Sequence, residues 1–138
     1  MIIETEEDLR REKKAIETYV SLFRGSYQKL DKYDIDYKVF DKDGLLISYA
    51  EVKGSFRQIY NAYPVQVAVK KLVKLLDKRL NPVIIWACDD GIIYGDLEKL
   101  VGTIKLGGRN TPRPDAVNDV ELMAYFEKQK SLRYVRFI

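Results

Sequence analysis

Two runs rich in β-branched and aromatic residues stand on either side of a short turn, and this pair constrains the fold more than any other feature of the chain. The runs cover residues 34–40 and 45–52, and Asp41-Lys42-Asp43-Gly44 lies between them. This composition favours strands, and Asp-Gly is a favoured pair for a two-residue hairpin turn. The sequence therefore predicts an antiparallel hairpin that turns at Asp43 and Gly44.

The length of this turn determines which residues of the hairpin face each other. With the two-residue turn, each pair of opposed residue numbers sums to 87, and Asp36 faces Glu51. A four-residue loop shifts the pairing by two, so that Asp34 faces Glu51 and Asp36 becomes its diagonal neighbour. Lys53 shares the face of Glu51 in both cases, because side chains alternate along a strand. The three groups are therefore expected within roughly 5–8 Å of each other at their Cβ atoms.

Helical and strand patterns alternate along the rest of the chain. Thr5 followed by Asp8 is typical of a capping box at the start of a helix. Helices are predicted over 6–24, 64–80 and, more weakly patterned, 120–130, and strands over 82–88, 92–94 and 100–106, while the short segment 27–30 is left unassigned. This order predicts an α/β sandwich around a mixed central sheet. A length of 138 residues fits one domain, 1–138.

The chain contains no histidine and a single cysteine, Cys88. This composition excludes Ser-His and Cys-His nucleophiles, histidine-ligated zinc and an internal disulfide. Catalysis must then use carboxylates, lysine, tyrosine or a hard metal ion. Apolar runs are shorter than the roughly 20 residues that span a bilayer, and the first residues do not form a signal sequence. An intracellular, cytoplasmic protein without a membrane partner is expected.

Two ionised carboxylates as close as those of Asp36 and Glu51 repel each other, which requires a raised pKa or a cation between them. A hard divalent metal, Mg²⁺ or Mn²⁺, meets this requirement and prefers oxygen ligands. Lys53 beside the metal could orient or deprotonate the attacking water, or stabilise developing charge on phosphorus. The chemistry that fits is phosphodiester hydrolysis. A solvated strand face with a cross-strand ion pair is the competing interpretation.

Glu12 is an unusual residue of the first helix, because it lies close to the apolar face, four residues before Ile16. Glutamate is seldom buried without a partner. We therefore expect Glu12 to approach the same metal from the helix that packs against the hairpin. Glu17, one step round the helix, is the competing candidate.

The strand entered by Asp34-Ile35-Asp36-Tyr37, the hairpin, and Ala50-Glu51-Val52-Lys53-Gly54 before a helix together resemble the PD-(D/E)XK nuclease superfamily, and within it small phage-encoded members. The likeness spans most of the chain, including residues 89–92 and 107–109, although no proline directly precedes Asp36. It implies a restriction-endonuclease-like three-layer sandwich with an αβββαβ core and Mg²⁺-dependent cleavage of nucleic acid, which we interpret as DNA. The resemblance implies a metal held by Asp36, Glu51 and the Val52 carbonyl, with Lys53 assisting the water and Glu12 or Glu17 completing the site.

Several residues outside this site are candidates for contacts with nucleic acid. Lys70 and Lys71 lie about one turn into the second predicted helix, close to the hairpin, and Gln66 lies near the start of that helix, where related nucleases sometimes carry a glutamine that contacts the substrate. Arg109 follows two glycines in a basic loop suited to a backbone phosphate. A solvated helix face and a plain surface turn are the alternatives. A binding protein without catalysis, an inhibitory protein and a homodimer are also left open.

Overall fold

A mixed six-stranded sheet forms the centre of the computed structural model, which describes residues 5–31, 35–107 and 121–138. Along the chain the elements are α1 (Glu6–Ser21), β1 (Ser26–Lys29), β2 (Tyr37–Phe40), β3 (Leu46–Gly54), β4 (Val65–Ala68), α2 (Val69–Asp77), β5 (Pro82–Ala87), β6 (Gly91–Asp96), β7 (Thr103–Gly107), β8 (Glu121–Phe126) and β9 (Arg133–Arg136). The central sheet has the order β1-β2-β3-β5-β6-β9, and β4-β8-β7 form a second sheet. Only β3 and β5 pair in parallel within the described ranges. The predicted α/β class with a mixed sheet is confirmed.

The two faces of the central sheet carry separate apolar cores. On one face α1 buries Ala15, Ile16 and Val20 against inward-facing residues of β2, β3, β5 and β6. On the other face α2 and the second sheet pack against Ile84 and Trp86 of β5. Strand β5 is buried along its whole length, as predicted from its continuous apolar sequence. Among the described residues no helix is long and apolar enough to cross a membrane.

The helix predicted over 64–80 is shorter in the structure, because its first part is strand β4. Val65 and Val67 are buried and Gln66 is exposed, the alternation of a strand with one covered face. Antiparallel pairing with β8 satisfies the backbone there, and α2 begins only at Val69. The β-branched valines favour this result, since they pack well on a pleated surface and lose rotamer freedom in a helix.

The weakly patterned helix predicted over 120–130 is wrong. Residues 121–126 form β8, which lies between β4 and β7 and pairs with both. Tertiary pairing therefore overrides the local sequence pattern, in which the apolar residues follow neither helical nor strand spacing strongly. Strand β9 was not predicted, and it completes the far edge of the central sheet against β6.

The hairpin has the predicted register but a different turn. Gly44 N–H donates to the Asp41 carbonyl at 3.1 Å, and Gly44 has a φ of +83° that suits glycine. The turn therefore spans residues 41–44 rather than the two residues Asp43 and Gly44. A bulge after Val39 takes up the extra residue, so that Tyr37 pairs with Ala50 and the opposed numbers again sum to 87.

Candidate functional site

Asp36 stands directly before β2, beside the end of β3 that carries Glu51. The Val52 N–H donates to Asp36 Oδ2 at 2.8 Å, and the Asp36 N–H lies 3.4 Å from Glu51 Oε2. Glu51 is only 5% exposed. Each carboxylate is thus held by the backbone of the opposite strand, and the structure brings Asp36 and Glu51 together as the hairpin register predicted.

The Val52 backbone faces the same point. The N–H and C=O of one strand residue are directed to the same neighbouring strand, so the N–H that binds Asp36 implies that the Val52 carbonyl also faces the Asp36 side. The β2–β3 ladder begins at the Tyr37–Ala50 pair, before it reaches Val52. The Val52 carbonyl therefore faces the side of β3 on which Asp36 lies, the side that a main-chain metal ligand would need.

Glu12 of α1 is the third carboxylate of this cluster. It accepts a hydrogen bond from Lys29 Nζ at 2.8 Å, and its side chain is only 12% exposed. Its negative charge raises the pKa of both Asp36 and Glu51. Glu17 instead accepts a hydrogen bond from the Tyr27 hydroxyl at 3.3 Å. Of the two helical glutamates that the sequence left open, the geometry favours Glu12.

Burial and mutual repulsion change the protonation of these acids. Desolvation, followed by the charges of Glu51 and Glu12, raises the pKa of Asp36 to about 7, against the opposing hydrogen bond from Val52. Desolvation also raises the pKa of Glu51, although the Lys71 ammonium counteracts it. Perturbed carboxylates in close contact are typical of functional sites, although structural ion-pair networks produce the same effect.

Two lysines already lie beside the carboxylates. Lys71 Nζ, on α2, is 3.6 Å from Glu51 Oε1, and Lys29 binds Glu12. The sequence predicted Lys71 as a contact for nucleic acid and gave no role to Lys29. Only the packing of α2 and β1 around the hairpin brings these two lysines to the site. The one available signal was that a buried glutamate needs a cationic partner.

Lys53 shares a face with Glu51, since it pairs with Trp86 while Glu51 pairs with Ile84, two residues before. It is exposed near the end of β3. In a strand without interruption Leu45 and Ile47 would share the face of Glu51, but here they do not. Leu45 is 65% exposed, and Ile47 packs into the core against α1, because the bulge reverses the alternation before Ser48.

The donor set fits a hard divalent cation, although the side chains are now engaged with one another. Asp36, Glu51 and the Val52 carbonyl offer the oxygen ligands that Mg²⁺ and Mn²⁺ prefer. Within residues 5–31, 35–107 and 121–138, no three acidic or cysteine side chains are grouped closely enough to hold a metal ion. Glu12 would have to leave both Lys29 and the Tyr37 hydroxyl to become a third carboxylate ligand.

The other predicted residues are more distant from this chemistry. Gln66 is exposed on β4 opposite Tyr125, and its backbone carbonyl accepts a hydrogen bond from the Trp86 indole N–H at 2.9 Å. Lys70 is exposed and lies 3.5 Å from Glu121. Arg109 lies outside the described residues.

Comparisons of the chain with protein-family models, with curated proteins and with solved structures find no match. A functional assignment therefore depends on the residues of this chain alone.

Proposed function

We propose that the chain is a Mg²⁺- or Mn²⁺-dependent nuclease that hydrolyses phosphodiester bonds of DNA inside the cell, with a site of the PD-(D/E)XK type. The observation that carries this proposal is the close pair of half-buried Asp36 and buried Glu51, with Glu12 near enough to raise the pKa of both. Carboxylates held so close in a partly buried position are expensive unless a cation or a proton neutralises them.

The order of the elements supports a restriction-endonuclease-like fold. Helix α1 is followed by three antiparallel strands, then by α2 and by β5 parallel to β3, which corresponds to an αβββαβ core with β4 inserted before α2. The acids lie near the carboxyl end of β3, beside the parallel strand. Ligands of open α/β sheets commonly bind outside such strand ends.

The residues divide into ligands and groups that act on water and phosphate. Asp36, Glu51 and the Val52 carbonyl would hold the metal, with Glu12 as a further ligand or a holder of water. The bound ion would act as a Lewis acid at the phosphoryl oxygen and lower the pKa of a coordinated water. Lys53, exposed near the end of β3, would orient the attacking water or stabilise the charge that develops on the phosphate.

A cleavage assay with matched variants tests the proposal. Supercoiled, linear, branched and single-stranded DNA are incubated with the protein and Mg²⁺ or Mn²⁺, with chelator as a control. Glu51→Gln and Lys53→Ala should each abolish cleavage, whereas Lys42→Ala, an exposed lysine in the hairpin turn, should cut as the wild type does. Cleavage by both site variants at the wild-type rate would refute the assignment.

A nucleic-acid-binding protein without catalysis is the second candidate. The observation in its favour is that Lys71 and Lys29 already pair with Glu51 and Glu12, so the acids are partly neutralised without any metal. This candidate predicts that DNA is retarded in gels, in a salt-sensitive way, but is not cut under any metal condition.

A further inference from the structure

A second cluster of charged and aromatic side chains lines a cavity on another side of α1 from Glu12. The cavity has a volume of about 240 Å³ and lies between α1, the turn after β5 and the chain after β9. Consecutive helix residues point about 100° apart, so Arg11 faces this cavity while its neighbour Glu12 faces the acidic site. The residues that matter here are Arg10, Arg11, Lys14, Cys88, Asp89 and Phe137.

Two lining residues of the cavity form cation–aromatic pairs; Phe137 also lines the cavity, whereas Phe56 lies outside the lining, beside Arg11. The Arg11 guanidinium lies 4.5 Å from the centroid of the Phe56 ring, and the same guanidinium binds Asp89 Oδ1 at 3.0 Å. Lys14 Nζ lies 4.1 Å from the centroid of the Phe137 ring. The Phe56 side chain is 68% exposed. Arg11 is therefore held in place by two partners, beside an aromatic surface that is open to solvent.

The charges of the lining favour an anion. Asp89 is paired with Arg11, which leaves Arg10 and Lys14 against the single carboxylate of Glu7. Burial raises the pKa of the Cys88 thiol to about 11, so the cavity offers no thiolate nucleophile at neutral pH. These properties suit binding rather than covalent chemistry.

The cavity lies near the acidic site. Phe56 follows Lys53 by three residues, so their Cα atoms are at most about 11 Å apart, and Arg11 directly precedes Glu12 in α1. The carboxyl ends of β3 and β5 are at the same edge of the sheet, where Gly54 pairs with Ala87. A nucleic-acid strand at the acidic site would therefore reach the cavity within a few nucleotides.

We propose that this cavity and the exposed Phe56 ring beside it bind one unpaired nucleotide of the substrate, with its base against Phe56 and its phosphate in the cavity near Arg10 and Lys14. Aromatic rings beside basic side chains are the usual platform for unpaired bases. The cavity volume is below the roughly 300–1,000 Å³ of a pocket for a whole drug-sized ligand, which suits the sugar and phosphate of one nucleotide rather than a larger ligand. The inference rests on the proposed nuclease function and specifies its substrate class as single-stranded or branched nucleic acid.

Fluorescence anisotropy in the presence of chelator tests this binding separately from cleavage. The probes are a labelled single-stranded oligonucleotide and a duplex of the same sequence. Phe56→Leu should weaken single-strand binding by about 5- to 100-fold, the range expected when one stacked base is lost, and leave duplex binding unchanged. Leu106→Ala is the matched control, because Leu106 is 70% exposed on the distant strand β7.

A double variant, Arg10→Ala with Lys14→Ala, tests the phosphate contact. The slope of log affinity against log salt for the single strand should fall by about 0.7, the value for one lost phosphate contact. Lys42→Ala should leave the slope unchanged. Thermal melting of each variant checks that the fold is intact.

The outcomes separate the two proposals. Weaker single-strand binding by Phe56→Leu, in a protein that never cuts with any metal, would support the cavity and refute the nuclease. Wild-type single-strand binding by both the Phe56 variant and the double variant would overturn the cavity proposal, even if the protein cuts duplex DNA through Asp36 and Glu51. Equal losses for single-strand and duplex probes would also overturn it, because the cavity would then not select unpaired nucleotides.

Discussion

Replacement of Asp36 by asparagine should stabilise the metal-free protein at pH 8 and abolish its response to metal. The ordinary pKa of this carboxyl is 3.8, and burial and neighbouring acids raise its pKa to about 7 in the folded chain. Because the pKa of Asp36 is higher in the folded chain than in the unfolded chain, the stability that this carboxyl contributes is fully present below about pH 4 and is lost as the pH rises through 7. Asparagine has no such charge and keeps an oxygen that can accept the Val52 N–H.

The magnitude follows from the two pKa values. Between pH 5 and pH 8 the wild type should lose about 2–3 kcal/mol of stability from this group, which the asparagine variant does not lose. In a domain of this size, that difference corresponds to about 8–12 °C in Tm. The raised pKa of Glu51 acts in the same direction. The quantity to measure is therefore the Tm of Asp36→Asn minus that of the wild type, at both pH values and with chelator.

Metal provides the second half of the test. A divalent ion at about 100 times its Kd should stabilise the wild type by roughly 2.7 kcal/mol, and more at pH 8 than at pH 5, because protons compete for the same carboxylates. Asp36→Asn should show little or none of this shift. Asp43→Asn is the matched control, since it makes the same chemical change at an exposed turn residue.

Two results would refute the reasoning. A Tm difference between Asp36→Asn and the wild type that is the same at pH 5 and pH 8 would mean that the folded protein does not raise the pKa of Asp36. An equal stabilisation of both proteins by Mn²⁺ would place the metal elsewhere on the chain. The first result concerns burial and repulsion, and the second concerns ligation, so each part of the argument can fail independently.

Two further perturbations test the packing around the site. Lys71→Met should lower the free energy of unfolding, measured in urea titrations, by about 1–3 kcal/mol, because it leaves the buried Glu51 without its ammonium partner. Lys70→Met is the control, because it breaks an exposed ion pair of similar length; it should change the free energy of unfolding by less than about 1 kcal/mol. Trp86→Phe should lower the free energy of unfolding by about 1–3 kcal/mol, since it leaves the backbone carbonyl of Gln66 without its indole donor. A loss well below 1 kcal/mol would show that this hydrogen bond does not help to join the two sheets.

The hairpin and the buried strand could be predicted because their signals are local. Asp41 to Gly44 form a turn of favoured composition, and the short continuous apolar run of β5 between turn residues is typical of a fully buried strand. The turn itself was misassigned, yet Asp36 still met Glu51 because a bulge restored the register. Face periodicity is therefore a stronger constraint than turn type, since a slip by one residue would expose the buried side of β2.

The second sheet and the lysines of the site could not be predicted in the same way. Strand β4 exists because β8, more than fifty residues later in the chain, pairs with it, and no local pattern specifies that partner. Lys71 approaches Glu51 only because α2 begins after β4 rather than at Pro64. Such contacts depend on long-range pairing, and single-sequence patterns contain little information about it.

The charges of the site suggest why two lysines lie among its acids. Glu12, Asp36 and Glu51 balance the charges of Lys29, Lys53 and Lys71 when all are ionised, and a divalent ion would leave two positive charges, which attract the negative phosphodiester. Metal binding would then release the lysines toward the phosphate. On the proposed assignment Lys29 and the metal would compete for Glu12, so Lys29→Met should bind Mn²⁺ several-fold more tightly at pH 8 in calorimetric titrations, yet cleave DNA more slowly. Weaker Mn²⁺ binding by this variant would mean that Lys29 positions Glu12 as a ligand instead of competing for it.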